Sequence, residues 1–187
     1  MNNSQKRLSK FGGLVKWSLL RHKFYIPVFV VVQIVLSFAV IYGFLFITHS
    51  TNQAEKSYLC TGAMAINVIA VTCVLAPQIV SEAKQNGVYE YQKTLPVSRV
   101  EILLSDLLIW GLLCLPGILS SILISTFGFG LDVSIGINSI LSVLLIIFSL
   151  LLVGFAIAYI LPSNVVPLVT QLIMIGGLPV SYTHLTL

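Results

Sequence analysis

The sequence predicts an all-α protein, a polytopic transmembrane helix bundle. Three observations carry that expectation. Of 187 residues, 57% are hydrophobic and only 9% charged, with mean hydropathy +1.01. A soluble domain carries about 25% charged residues, so there is too little polar surface here to cover one. Several apolar blocks approach or exceed the roughly 20 residues that a helix needs to cross a bilayer. Charge is gathered between the blocks: the long polar run 81–101 holds Lys84, Lys93 and Arg99, and four of the six acidic residues lie in or just after it.

The N-terminal segment 1–23 is basic and amphipathic. Leu8, Phe11, Leu14, Val15 and Leu19 recur at roughly helical spacing, with Trp17 nearby. Such a helix lies in the headgroup layer, with Trp17, Arg21 and Lys23 as its interfacial residues. Gly12 and Gly13 interrupt it, and the alternative is a plain basic tail that only sets orientation.

Residues 24–48 form the first span, with Pro27 in its first turn, where a missing N–H costs little. Gln33 and Ser37 are its polar interruptions. Gln33 either bonds across to another helix or turns to its own backbone or a neighbour. A short polar loop, 49–58, carries Glu55 and Lys56. The second span, 59–80, contains Asn67, Thr72, Pro77 and Gln78. Pro77 is expected to kink or end it, and Asn67 needs a protein neighbour to be tolerated there.

After the run 81–101, the third span covers 103–126, entered through Glu101 and Asp106, with Asp106 near enough to the end to snorkel. Pro116 and Gly117 predict a kink within it. Residues 127–138 form a Gly-rich loop without Lys or Arg, and 139–161 make an uncharged fourth span. A turn at 162–164 leads to a fifth apolar run, 165–178, shorter than a normal crossing.

Orientation follows from the basic residues. Lys6, Arg7, Lys10, Lys16, Arg21 and Lys23 precede the first span, and Lys84, Lys93 and Arg99 follow the second, so all nine share one face against Lys56 on the other. Positive residues mark the cytoplasmic side. The N-terminus and the run 81–101 are therefore expected on the cytoplasmic side of the cell membrane. The same charges lie beside apolar spans with no base-stacking platform, so they argue for lipid and against nucleic acid. Cys60, Cys73 and Cys114 fall in or at the edge of apolar runs without CxxC spacing and read as small buried hydrophobes. The first apolar run is too long for a signal-peptide core and is expected to stay as a span.

Catalytic patterns are missing. The chain has no GxxxxGK[ST] phosphate loop, no HExxH and no GxSxG elbow, and Gly128-Phe129-Gly130 lacks GxGxxG spacing. The carboxylates Glu82, Glu90, Glu101 and Asp106 interleave with Lys84, Lys93 and Arg99, which reads as a solvated mixed-charge surface rather than a metal or acid/base group. Span interiors carry essentially no ionisable group, unlike a proton-coupled transporter. The expectation is a protein that is not itself an enzyme and holds no cofactor.

What remains is a segment built for docking. Residues 81–87 prolong the second span as a helix that Gly87 can terminate. Residues 88–95 carry Tyr89, Tyr91 and Leu95 among charges, and Pro96 breaks the segment. Ser98 with Glu101 three residues on is a capping box opening the third span. A short helix across the membrane face, bounded by Gly and Pro, suits a groove on a soluble partner.

The run Glu82, Gly87, Glu90, then Leu95-Pro96-Val97-Ser98-Arg99 and Ile102, placed between the second and third spans, resembles ABC-2-type permeases, the membrane subunits of ATP-binding-cassette exporters. The basic segment before the first span fits as well, and the resemblance covers about residues 1–178. It implies six spans in the intact protein, pairing with a second permease copy or homologue, and a separate cytoplasmic ABC ATPase that binds ATP and Mg. It also implies that the segment after the second span is a coupling helix on that ATPase, with Glu82, Gly87, Glu90, Leu95, Pro96 and Arg99 as coupling positions. Members often carry a small residue and Lys after the LPVSR-type run, where this chain has Ser105 and Asp106.

The last eight residues, VSYTHLTL, can be read as GTC TCT TAT ACA CAT CTG ACG CTG, a translated transposase-type sequencing adapter. Residues 179–187 are therefore expected to be read-through after a C-terminally truncated fifth span. Two other classes remain open: a non-transporting membrane scaffold for a cytoplasmic partner, and a fragment of an integral-membrane enzyme. Apolar spans accept lipids, peptides, drugs or polymers alike and do not name a substrate.

Overall fold

The computed structural model describes residues 12–20, 23, 25–48, 52–95, 97–131 and 136–180. Arg21, Pro96 and residues 181–187 of the suspected read-through 179–187 lie outside them. All regular structure among the described residues is helical. In chain order it comprises α1 (12–20), α2 (Tyr25–Thr48), α3 (Gln53–Ile69), a π-helical turn (Ala70–Leu75) and α4 (Ala76–Gln85). There follow α5 (Val88–Thr94), α6 (Arg99–Leu113), α7 (Leu115–Leu123), a second π turn (Ile124–Gly128), α8 (Ile137–Ile160) and α9 (Val166–Val180). Among the described residues four stretches are long and apolar enough to cross a membrane: Tyr25–Gly43 of α2, Gln53–Gln85, Arg99–Gly128 and α8. The apolar part of α9 is shorter.

The bundle is apolar outside and polar within. Val31, Val35, Leu141 and Leu145 are each more than half exposed, whereas Gln33, Ser37, Asn67, Thr72 and Ser121 are buried. In water such an exterior far exceeds the apolar patches that soluble monomers show. In lipid it is the ordinary surface, and the polar groups turn inward to satisfy one another.

The stretch Gln53–Gln85 runs for 33 residues through the centre and packs against α2, α7, α8 and α9. At 1.5 Å per residue it is about 50 Å long, beyond the roughly 30 Å hydrocarbon layer. Its start corrects the expected loop at 49–58. Asn52 caps the helix, its side chain accepting from Ala54 N at 3.2 Å, and Glu55 sits in the first turn, both favourable at a helix N-terminus.

Of the two outcomes expected at Pro77, a kink or an end, the structure excludes the end: the helix continues through it to Gln85. A proline removes a donor and crowds the carbonyl four residues back. The π turn just before it widens the ladder there, with Ala76 N–H bonding to Val71 O. The Thr72 carbonyl thereby loses its ordinary donor, and the next residue in line, Pro77, has none. That carbonyl faces Gly154 of α8 so closely that a Cβ at 154 would overlap it. With only a hydrogen in that direction, Gly154 leaves room for the carbonyl.

The third span breaks as Pro116 predicts, at Cys114. Gln33 mends the break. Its Nε2 donates to Leu113 O at 2.7 Å, and Gly117 N donates to its Oε1 at 2.8 Å. Leu113 and Gly117 are four apart, so a side-chain amide from α2 is inserted into one rung of the α6–α7 ladder. Of the two roles open to Gln33 in the sequence, the structure has the bond across. Ser37, one turn on, lies 2.6 Å from Ser120 Oγ and accepts from Asn67 Nδ2 at 2.9 Å.

Candidate functional site

The polar run folds as a helical elbow between two spans. α4 carries the second span past the apolar zone. Asn86 N bonds to Glu82 O at 3.0 Å, and Gly87 turns the chain with φ +73°, a left-handed conformation that costs other residues about 1–2 kcal/mol. The chain restarts as α5. Leu95 then leaves the helix with extended geometry, as a residue before proline must. Ser98 caps α6: Glu101 N donates to Ser98 Oγ at 3.2 Å, and Ser98 N to Glu101 Oε2 at 2.9 Å. Both rungs of the box read from the sequence are present.

Of the sequence-derived positions, Glu82, Gly87, Glu90 and Arg99 are exposed, Leu95 is half-buried, and Pro96 lies outside the described residues. Glu90 pairs with Lys93 at 2.7 Å, one turn on. α5 rests on the bundle through buried Gln92 and through Tyr89, whose ring centroid is 5.7 Å from that of Tyr159 on α8. Glu90 and Tyr91 point the other way, with Tyr91 more than half exposed.

Three contacts that hold this elbow were not legible in the sequence. Trp17 of α1 is half-buried with its ring centroid 6.3 Å from that of Tyr91, so this interfacial residue packs on α5. Ser18 Oγ donates to Asp106 Oδ1 at 2.8 Å. Asp106 is only 4% exposed, which corrects the expectation that it snorkels: a hydroxyl from the preceding amphipathic helix meets it inside. Lys84 Nζ donates to Tyr159 O at 3.2 Å. It caps one of the last carbonyls of α8, where helix geometry leaves acceptors open and favours a cation, so Lys84, only partly exposed, is turned onto α8. The available signal was a serine four residues after Leu14, on the buried stripe of α1. Lys23 is exposed, and Arg21 lies outside the described residues.

Among the described residues no three His, Cys, Asp or Glu side chains come together as metal ligands. The elbow's chemistry is that of contact: exposed charges and a tyrosine on a short helix tied to four other helices. Residues 15–182 match the family model described as ABC-2 type transporter. The chain belongs to the ABC-2 type transporter family. No curated protein and no solved structure matches it. As an ABC-2 membrane domain it is the permease component of an ABC-type transporter, and its apolar exterior is that of a membrane-embedded protein.

The α1 contacts of this permease make a modest prediction. Ser18→Ala removes a buried donor to Asp106, at a cost of about 1 kcal/mol, or a rise of roughly fivefold in the undocked fraction of α1. Trypsin cleavage after the exposed Lys16 should speed up by that factor in detergent. An unchanged rate would mean that the hydroxyl does not hold α1.

Proposed function

We propose that this permease is the membrane subunit of an ATP-driven exporter in the cell membrane, energised by a separate cytoplasmic ATPase that docks on α5. The observation that carries the reading is the elbow itself. α5 turns Glu90 and Tyr91 outward, while its two ends run through Gly87 and the Ser98–Glu101 box directly into two long apolar helices. A push on α5 is therefore delivered to both, and through Trp17 and Lys84 to α1 and α8. The nine basic residues that the sequence places before the first span and after the second support its cytoplasmic placement. ATP and Mg belong to the partner, and this chain performs no chemistry. A second permease copy or homologue completes the path, and the exporting direction rests on the family resemblance.

The test is co-purification with the ATPase from cells expressing both, alongside ATP-dependent flux. Glu90→Lys reverses an exposed charge on α5 and is expected to weaken capture about tenfold, equivalent to about 1.4 kcal/mol, with membrane insertion unchanged. Arg99→Glu should act in the same direction. Wild-type capture and turnover in both variants would remove α5 as the docking helix. Capture without any ATP-dependent flux would instead favour a scaffold.

A further inference from the structure

A cavity of about 460 Å³ lies between α5, the start of α6 and the end of α8. Its two halves differ in kind. α6 runs away from the elbow and α8 runs towards it, so the lining sorts by depth. Lys93, Arg99 and Tyr159 line the end at the elbow, and Leu103, Leu152 and Phe155 line the end inside the apolar zone. Leu152 and Tyr159 are seven residues apart, about 10 Å along the helix. Phe155 is buried, while Leu152 is half exposed, so the apolar half opens sideways onto the lipid-facing surface of α8.

The polar end carries two cations, of which Arg99 is uncommitted and Lys93 also lies 4.6 Å from the Tyr89 ring centroid. Arg99 is exposed and has no ion pair among the described residues. Lys93 is shared with Glu90 at 2.7 Å, and both side chains of that pair are well exposed. In the small space behind this end, Lys84 is turned to the Tyr159 carbonyl and Asp106 accepts from Ser18. The Glu101 carboxylate is occupied by the Ser98 cap. The guanidinium of Arg99 is left as a planar fork of donors of the kind that grips phosphate.

We propose that this cavity binds an anionic phospholipid of the surrounding leaflet, with its phosphate on Arg99 and Lys93 and one acyl chain between α6 and α8. The volume lies within the range of small-molecule sites and takes a headgroup with the upper part of a chain, the remainder following exposed α8. A soluble peptide or nucleotide matches the cations but leaves the apolar half empty, and a neutral lipid matches only the apolar half. A bound lipid would fill the seam between α5 and the fourth span. The inference does not depend on the exporter reading.

The test uses the full chain in detergent, titrated with phosphatidylglycerol or phosphatidylcholine of the same acyl composition and read by native mass spectrometry. One phosphatidylglycerol should be retained about tenfold more tightly than phosphatidylcholine, since cations near a membrane surface each favour anionic lipid by several-fold. Arg99→Gln with Lys93→Gln should bring the two lipids within about twofold, whereas Arg99→Lys keeps most of the preference. Leu103→Trp, which fills the apolar half, should lower retention of both. Equal retention of both lipids by the wild-type chain would overturn the proposal, as would a preference that survives the double variant. If the double variant fails to fold, Arg99→Gln compared with Arg99→Lys reads the same contrast. Glu90→Lys separates this site from ATPase docking: it should impair capture of the ATPase while leaving the lipid preference intact or raised.

Discussion

Gly154→Ala is expected to destabilise this permease by about 3 kcal/mol or more, at the upper end of what overpacking by one methyl costs. The reason is what the new Cβ would meet. At most of the described glycines nothing lies within reach, but at Gly154 the nearest atom is the backbone oxygen of Thr72, with Pro77 Cγ at 3.2 Å and the Thr72 carbonyl carbon at 3.3 Å. A flexible side chain can turn away. A carbonyl in a π turn, ahead of a proline, in the most enclosed helix of the bundle, has nowhere to go. The added methyl must push α8 off the central helix, and with it the buried contacts of Ile147, Leu151, Phe155 and Ala158. For a chain of this size such a loss lowers the melting temperature by about 10 °C. Thermal unfolding in one detergent, with Gly43→Ala and Gly111→Ala as controls that meet nothing within 4 Å, is the measurement. The controls should be neutral or slightly stabilising, because alanine is the better helix former. A Gly154 variant that melts with them would mean that the close approach of α8 is not required.

The contrast between Gly154 and the capping box shows what the sequence makes legible. Ser98 and Glu101 are three residues apart, Gly87 ends a helix through its own backbone, and Pro116 breaks one through its own ring. Each is a local event with a local signature, so the elbow could be drawn before its neighbours were known. The apolar runs were equally visible, because hydropathy over 20 residues needs no tertiary knowledge. The facing of each helix was not visible. α2 is apolar nearly all round, and only Gln33 and Ser37, one turn apart, mark the side that turns inward. Which carbonyl Gln33 reaches depends on where α6 breaks, 80 residues later. Asp106 illustrates the same limit: its position near a span end suggested water, but Ser18, 88 residues earlier, meets it inside. At Pro77 the sequence left a kink and an end equally open, because a π turn has no compositional signature. The helix accommodates the proline by widening one turn, seen in the Ala76 N–H bond to Val71 O, and a glycine on α8 makes room for the displaced carbonyl.

Gln33→Leu should cost about 2–4 kcal/mol and, unlike most losses of a polar side chain, should act through the backbone of another helix. The leucine has similar bulk and suits an apolar span, so the side chain itself gains by transfer. What is lost is the pair of bonds at 2.7 and 2.8 Å that close the rung between Leu113 and Gly117. A side-chain hydrogen bond in a membrane protein is worth about 0.6 kcal/mol on average and up to about 1.7. Two backbone groups left open in lipid cost several more, unless the ladder re-forms without the insert. Gly117→Ala attacks the same joint from the other side, since its Cβ would stand 2.6 Å from Gln33 Oε1 and 2.9 Å from Asn67 Cβ. The two variants therefore remove one structural unit. Combined, they should destabilise less than the sum of the single effects, by about 1 kcal/mol or more, where residues this close but independent would add. The cycle is measured by thermal unfolding of the four proteins in one detergent. Additive effects would mean that Gln33 and Gly117 are merely neighbours. A shortfall would show that an amide from the first span serves as a backbone rung of the third, holding the two together where proline has cut the helix.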